Sequence, residues 1–285
     1  VTVLRPTSIA AALEARAEHP GALVLAGGTD AMVAINAGRL RADVTIDVTG
    51  IAELGGWSRT GATVRIGAAL PYTRLIAELG DALPGLAMAS RTVGSPQIRN
   101  RGTVGGNVAT ASPAGDALPP LVAADAVVEL ASLDGVRRLP IREFLVGPKR
   151  SALRPAELIT AIEVPVARGP QQFSKVGPRN AMVIAVCSLA VDVDVVARRV
   201  AVGIGSAGPT TLRAPDAEAA VSAAIDWESG TLAEHGLAAF ATLVAEAARP
   251  IDDVRGTAAY RRHALAVLAR RSLAWSLDAL RREVA

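Results

Sequence analysis

The sequence predicts an α+β protein in two parts, on three observations. Short apolar strands alternate with helical patterns up to about residue 165. A polar Gly/Pro break, "ARGPQQ" from Ala167 to Gln172, then places a boundary at residue 169 and divides the chain into 1–168 and 169–285. Beyond it, a long apolar hairpin pattern gives way to helical patterns that run to the end. With 285 residues and 51% apolar side chains, each part can bury a core of its own.

The elements follow in order. Thr7 and Ser8 are good N-cap types ahead of an Ala-rich helix starting at Ile9. "GALVLAGGTDAMVAI" reads as a buried strand, a glycine turn and a short helix. "ADVTIDVT" alternates, with Val44, Ile46 and Val48 on one face, and reads as a strand. "ATVRIGAAL" is another strand, followed by the helix "YTRLIAELG". "ALPPLVAADA" has the character of a buried segment. "AVVELASLDGVRRLPI" reads as a hairpin turning at Asp134–Gly135, and "AELITAIEVPV" as the strand that closes the first part. After the break, "VIAVCSLAVDVDVVARRVAVGIG" is an antiparallel hairpin, and helices dominate from Asp216.

Three glycine-rich stretches are candidate ligand loops. "GIGSAG", Gly203 to Gly208, fits G-x-G-x-x-G after a strand. Pro209 follows it, however, and no helix opens there to hold a diphosphate, so it reads as a strand-ending turn. "VLAGGTDA", Val24 to Ala31, passes from a strand through Gly27 and Gly28 into a helix. Successive N–H groups in such a turn can converge on an anion, and the residues alone fit a purely structural turn equally well. The third stretch, Arg99 to Asp116, is a long polar passage between apolar runs. Gly102, Gly105 and Gly106 permit positive φ and close approach by a ligand, while Thr103 and Asn107 add short hydrogen-bonding side chains. Val104 and Val108, four residues apart, argue that the segment packs instead of waving in solvent. Any diphosphate held by these loops would rest mainly on backbone N–H groups, each charge-assisted bond worth on the order of 1.5–3 kcal/mol.

Composition excludes several chemistries. The single Cys, Cys187, allows neither an internal disulfide nor a four-thiolate iron–sulfur cluster within this chain. The three His lie far apart without metal-ligand spacing, and no Gly-x-Ser-x-Gly nucleophile elbow occurs. A net charge of +3 without basic–aromatic clusters argues against nucleic acid as a partner. No run of about 18 uncharged apolar residues spans a bilayer. The opening "VTVLRPTS" lacks a signal-peptide layout, so a cytoplasmic location is expected. Lys149 and Lys175 are the only lysines among many arginines, which draws attention to their positions.

"VLAGGTDAMV", "TVGSPQIRNRGTVGGNVATASPAGDALPPLVAADA", "GPKRSALRPAELITAIEVP", "FSKVGPRNAMVIAV" and the terminal "YRRHALAVLARR" occur in this order at familiar spacings. On these motifs the chain strongly resembles the FAD-binding medium subunit of molybdenum hydroxylases, the carbon monoxide dehydrogenase and xanthine dehydrogenase family. The resemblance implies a vanillyl-alcohol-oxidase (PCMH)-type FAD-binding domain of two α+β subdomains, with FAD between them. A smaller α+β domain with an antiparallel sheet and C-terminal helices would follow.

By motif position, Val24, Leu25, Ala26, Gly27, Gly28, Thr29, Asp30 and Ala31 would form the first pyrophosphate loop. Thr103, Val104, Gly105, Gly106 and Asn107 would form the second, with Asp116 on an FAD hydroxyl. Val93 would line the flavin site, Ile159 would give an aliphatic contact, and Lys175 would lie near the flavin. The FAD would be non-covalent, since His, Cys and Tyr are missing from both glycine loops. The resemblance also implies a large molybdenum-cofactor subunit and a small [2Fe–2S] subunit as partners, in a dimer of heterotrimers. Electrons would pass from the partner's clusters through FAD to an external acceptor. A self-sufficient flavin oxidase or dehydrogenase, or a flavin-free assembly protein, would be the competing readings. Two departures from the family pattern bear on the acceptor: Pro148 stands where an aromatic is common, and Met182–Val183 where some members carry an acidic pair.

Overall fold

The computed structural model describes residues 2–284. The chain first builds a three-stranded parallel sheet, β1 (Thr2–Leu4), β2 (Leu23–Leu25) and β3 (Val44–Asp47), in the order β1-β3-β2. Its helices are α1 (Ile9–Glu18) and α2 (Ala31–Asn36). Ser8 starts α1 by accepting a hydrogen bond from the Ala11 N–H at 3.2 Å. Ala12, Leu13, Ile46, Val48, Ile51 and Leu54 form the core of this unit.

The second unit is an antiparallel sheet of five strands: β4 (Trp57–Thr60), β5 (Thr63–Gly67), β6 (Val127–Ser132), β7 (Gly135–Pro140) and β10 (Leu158–Pro165), in the order β4-β5-β10-β6-β7. Between them lie α3 (Tyr72–Glu78), α4 (Pro84–Arg91), α5 (Pro96–Arg99), α6 (Val104–Thr110) and α7 (Leu118–Ala123), then α8 (Ile141–Phe144) and the small hairpin β8 (Leu145–Gly147) and β9 (Arg150–Ser151). Leu70, Leu75, Val104, Val108, Leu121 and Phe144 are fully buried in its core. A bulge at Thr160 shifts the register of β10 against β6 between Ile159 and Ala161. The Thr160 hydroxyl fastens the bulge by donating to Glu129 Oε1 at 2.7 Å.

The third unit holds β11 (Gln171–Val176), β12 (Cys187–Asp194) and β13 (Arg199–Gly205) in that order, all antiparallel. It is backed by α9 (Pro215–Ala224), α10 (Glu234–Ala247) and α11 (Ala258–Val284). Phe240, Val244, Leu265, Leu273 and Leu277 from the helices pack on Leu189, Val191 and Val202 of the sheet. Gln171 ties this unit to the second by accepting from the Gly85 N–H at 3.0 Å. Arg213 and Arg199 both reach Asp125, at 2.8 and 2.9 Å.

The α+β class read from the sequence therefore holds, with differences in detail. The polar passage from Arg99 to Asp116 contains the helix α6, because Thr103 caps it and its two valines anchor it. The 127–140 hairpin turns one residue earlier than expected: Ser132 pairs with Gly135, which takes φ 128°, so Leu133 and Asp134 form the turn. "GIGSAG" ends β13, and Gly203 packs so closely that a Cβ there would lie 2.0 Å from the Pro119 carbonyl oxygen. Among the described residues no helix is long and apolar enough to cross a membrane.

Asp192 on β12 has its carboxyl pushed up to about 6 by burial, against a hydrogen bond from Gln171 and the pull of Arg199 and Arg213. The folded state thus holds this proton more tightly than the unfolded chain, so its stabilising effect is present at low pH and lost as pH rises through about 6. Asp192→Asn is expected to raise stability by on the order of 1–3 kcal/mol at pH 8. The gain should shrink toward zero near pH 4, which thermal melts of both proteins across pH will read.

Candidate functional site

The first glycine loop leaves β2 at Leu25 and enters α2 at Ala31. Gly28 turns it at φ 74°, a conformation that glycine adopts without a Cβ penalty. Gly27 has a different reason to be glycine: a Cβ would lie 2.0 Å from the Arg101 carbonyl oxygen and 2.9 Å from the Gly102 Cα. The loop thus rests backbone on backbone against the residues preceding the second loop. The N–H groups of Gly28, Thr29, Asp30 and Ala31 donate to nothing within the chain among the described residues. Asp30 does not cap α2; its Oδ2 lies 3.2 Å from the Thr110 hydroxyl at the far end of α6, which joins the two loops again.

The second loop is the start of α6. Thr103 accepts from the Gly106 N–H at 2.9 Å, and Val104 is fully buried behind it. Gly105 presses on Ala68, whose carbonyl oxygen would stand 2.4 Å from a Cβ at that position. Gly106 faces the other way: a Cβ there would meet only the Thr103 hydroxyl, at 3.1 Å.

Between the loops runs a cleft of about 630 Å³, walled by the first unit on one side and the second on the other. Every residue of 24–31 lines it, together with Val93, Thr103, Gly105, Gly106, Asn107, Asp116 and Ile159. Ile159 arrives there from the start of the β10 bulge. Of the positions expected from sequence, Val104 turns into the core instead, and Lys175 stands behind the cleft wall. Lys175 reaches the site through Asp116, donating to its Oδ2 at 2.6 Å and to the Thr92 carbonyl at 3.2 Å. Thr92 also donates to that carboxylate oxygen at 3.2 Å. Burial pushes the Asp116 carboxyl above its ordinary value, opposed by the charge and hydrogen bond of Lys175 and by the bond from Thr92.

Sequence reasoning missed Tyr72. It begins α3, lines the cleft, and is 2% exposed, with a hydroxyl that has no partner. Burial first, then the charges of Asp116 and Asp30, push its phenol well above the usual value, so it stays neutral with its proton available to a ligand. Its scarcity was the available signal, since the chain has only two tyrosines. Lys149 and the stretch Met182–Ile184 also line the cleft.

Three buried polar atoms on this cleft lack partners: Tyr72 Oη, Asn107 Oδ1 and Asp116 Oδ1. A buried polar atom left unpaired costs about 1–3 kcal/mol, so together they call for a ligand with both donors and acceptors. FAD has both: ribityl and ribose hydroxyls suit the two oxygen acceptors, and its diphosphate suits the tyrosine hydroxyl and the free N–H groups at Gly28–Ala31. Apart from Tyr72 the lining is aliphatic, glycine or polar, so a flavin would lie against aliphatic and glycine surface.

A cleft of this composition between a parallel and an antiparallel unit defines the flavoprotein class of PCMH type. Comparison with known proteins fixes the family. Residues 1–167 match the family described as FAD binding domain in molybdopterin dehydrogenase, and residues 172–276 match the CO dehydrogenase flavoprotein C-terminal domain. The chain belongs to this family of FAD-binding subunits of molybdenum hydroxylase-type dehydrogenases. It is 30% identical to the 6-hydroxypseudooxynicotine dehydrogenase complex subunit alpha of Paenarthrobacter nicotinovorans, over 91% of this chain and 88% of that one. It is 34% identical to the xanthine dehydrogenase FAD-binding subunit of Escherichia coli O157:H7, over 61% of this chain and 59% of that one. Among solved structures, a chain of the reconstituted CO dehydrogenase from Oligotropha carboxidovorans superposes with TM-score 0.87 at 27% identity, covering 98% of each chain.

The Asp116–Lys175 pair is nearly buried, its side chains 10% and 8% exposed. Asp116→Asn leaves that ammonium without its counter-charge and is expected to cost about 3 kcal/mol of folding stability. Adding Lys175→Met should restore part of the loss, because no unpaired charge then remains. Urea unfolding of the two variants and the parent checks this.

Proposed function

We propose that this chain is the FAD-carrying electron-transfer subunit of a molybdenum hydroxylase complex. It would receive electrons from [2Fe–2S] clusters on a small partner subunit and release them to an external acceptor. A large subunit would hold the molybdenum cofactor, in a dimer of heterotrimers in the cytoplasm. The observation that carries this reading is the convergence of two glycine loops and three partnerless buried polar atoms on one cleft. The division at residue 169, into a flavin part and a C-terminal part, belongs to the same proposal.

Within it, the chain's own residues bind and orient. The N–H groups of the first loop and the start of α6 would face the diphosphate, as helix N-termini favour anions. Asn107 Oδ1 and Asp116 Oδ1 would accept from hydroxyls, while Lys175 and Thr92 keep the Asp116 carboxylate in place. Val93 and Ile159 would offer apolar contact and exclude water. Bound FAD would supply the one- and two-electron chemistry that side chains lack. Neither candidate for covalent attachment is a competent nucleophile. Tyr72 is held neutral by its burial, and Cys187 sits on β12 with its thiol pushed up to about 12 by burial against the pull of Arg261. The FAD would therefore be non-covalent.

Three outcomes are expected. Acid precipitation of the yellow protein should release its FAD into the supernatant, and colour remaining in the pellet would contradict non-covalent binding. Gly106→Val should fold, since only the Thr103 hydroxyl lies near the new Cβ, yet lose FAD because the side chain projects into the cleft. Stoichiometric flavin in a folded variant, measured by absorbance against circular dichroism, would contradict the loop assignment. The flavin of the isolated chain should not be bleached by a hydroxylation substrate under anaerobic conditions. It should bleach once iron–sulfur and molybdenum subunits are added; bleaching of the isolated chain by an organic substrate would instead support a self-sufficient oxidase or dehydrogenase.

A further inference from the structure

A bulge in a strand changes which way its side chains point. In β10, Ile159 packs against the same core as Ile162 and Val164, three and five positions further on. A strand of unbroken period two sends residues at odd separations to opposite faces. Thr160 removes the conflict: it is the extra residue between the Ile159–Leu130 and Ala161–Glu129 pairs. Ile159 thereby reaches the cleft, while Glu163 stays on the charged opposite face of the sheet beside Arg138.

Thr160 is held from that charged face. Its hydroxyl donates to Glu129 Oε1 at 2.7 Å. Arg65 donates to the same oxygen at 2.6 Å, and Arg138 to Oε2 at 2.9 Å. Thr160 and Glu129 are both buried. Burial raises the Glu129 carboxyl, but the hydrogen bonds from Arg65 and Thr160 and the two arginine charges outweigh it and hold the group below its ordinary value. A hydrogen bond to such an ionised acceptor is stronger than one between neutral groups. The main chain of Thr160 acts in the other direction. Its carbonyl accepts from the Ala68 N–H at 3.1 Å. Ala68 is the residue on which Gly105 presses, and both line the cleft. One bulged residue thus supports the Ile159 wall and the start of α6, although neither it nor Glu129 lines the cleft.

We propose that Thr160, clamped by Glu129, is a positioning residue of the cleft, which seats the flavin through Ile159 and the second glycine loop through Ala68 and Gly105. The role toward the cofactor rests on the FAD reading given above.

The test compares the full chain with three variants. Thr160→Val keeps the shape and removes the hydroxyl, and Thr160→Ser restores it. Glu163→Gln weakens the ion pair with Arg138 on the same face without touching the bulge. FAD affinity is read by fluorescence titration and the surroundings of the bound flavin by visible circular dichroism, both on protein shown to be folded. Thr160→Val is expected to weaken FAD binding about tenfold and to alter the visible circular dichroism, while Thr160→Ser and Glu163→Gln match the parent. A residue that only stabilised the fold would lower the melting temperature and leave both readings unchanged. Parent affinity and spectrum in folded Thr160→Val would overturn the proposal, as would equal impairment in Thr160→Ser or Glu163→Gln. If Thr160→Val does not fold, Glu129→Gln decides in its place, because it removes the charge that holds both arginines. About threefold weaker FAD binding is then expected, and parent affinity overturns the proposal. A parent chain that takes up no FAD contradicts the FAD reading alone. Amide exchange of the unliganded chain then decides the positioning role. Ala68, Gly106 and Asn107 should exchange faster in Thr160→Val than in the parent and Thr160→Ser, and equal rates overturn it.

Discussion

The site depends on one close contact: the first glycine loop against the backbone of Arg101 and Gly102. Only glycine at position 27 permits that approach, because the space a Cβ would need is filled by a carbonyl oxygen. The contact sets the parallel unit against the antiparallel one. It also brings the amide run at Gly28–Ala31 into the same cleft as the start of α6. The Thr110–Asp30 contact braces the arrangement from the other end of α6. Within α6, the requirements divide: Val104 serves packing, Gly105 both presses on Ala68 and lines the cleft, and Gly106 and Asn107 face the cleft.

The third unit contributes chiefly through Lys175. Its strand β11 pairs with β12, and its lysine crosses to Asp116 in the second unit. A buried ion pair is weak evidence of stability, since desolvation offsets much of the Coulomb gain. Its effect here is to fix a carboxylate so that one oxygen is occupied and the other points, unpartnered, at the cleft. The same lysine lines a smaller cavity of about 390 Å³ behind that wall and reaches the cleft only through Asp116. Met182 and Val183 line both cavities.

Much of this was legible in the sequence where backbone geometry demands particular residues. The glycines of both loops stood out because a turn at positive φ, or a contact between backbones, tolerates little else. Strands with clear alternation, such as β3 and the β12–β13 hairpin, were readable for similar reasons. What stayed hidden concerned direction and long-range pairing. Nothing local distinguished Val104, facing the core, from Gly106, facing the cleft. β11 was missed because its strand character comes from pairing with β12 and not from its own polar sequence, "QQFSKV". Tyr72 gave no motif: its role arises from the distance between α3 and residues 30 and 116, which sequence spacing cannot report. The helix α6 was read as loop because three polar or glycine residues of its first turns outweighed two buried valines.

The account's central claim is that both glycine loops hold one FAD together. Amide hydrogen exchange of the full chain, with and without FAD, tests it most directly. Protection should rise on FAD addition at Gly28–Ala31 and at Gly105–Asn107 alike, with little change in the distant helices α9 and α10. Protection confined to one loop, or absent from both in protein that has taken up FAD, would contradict it.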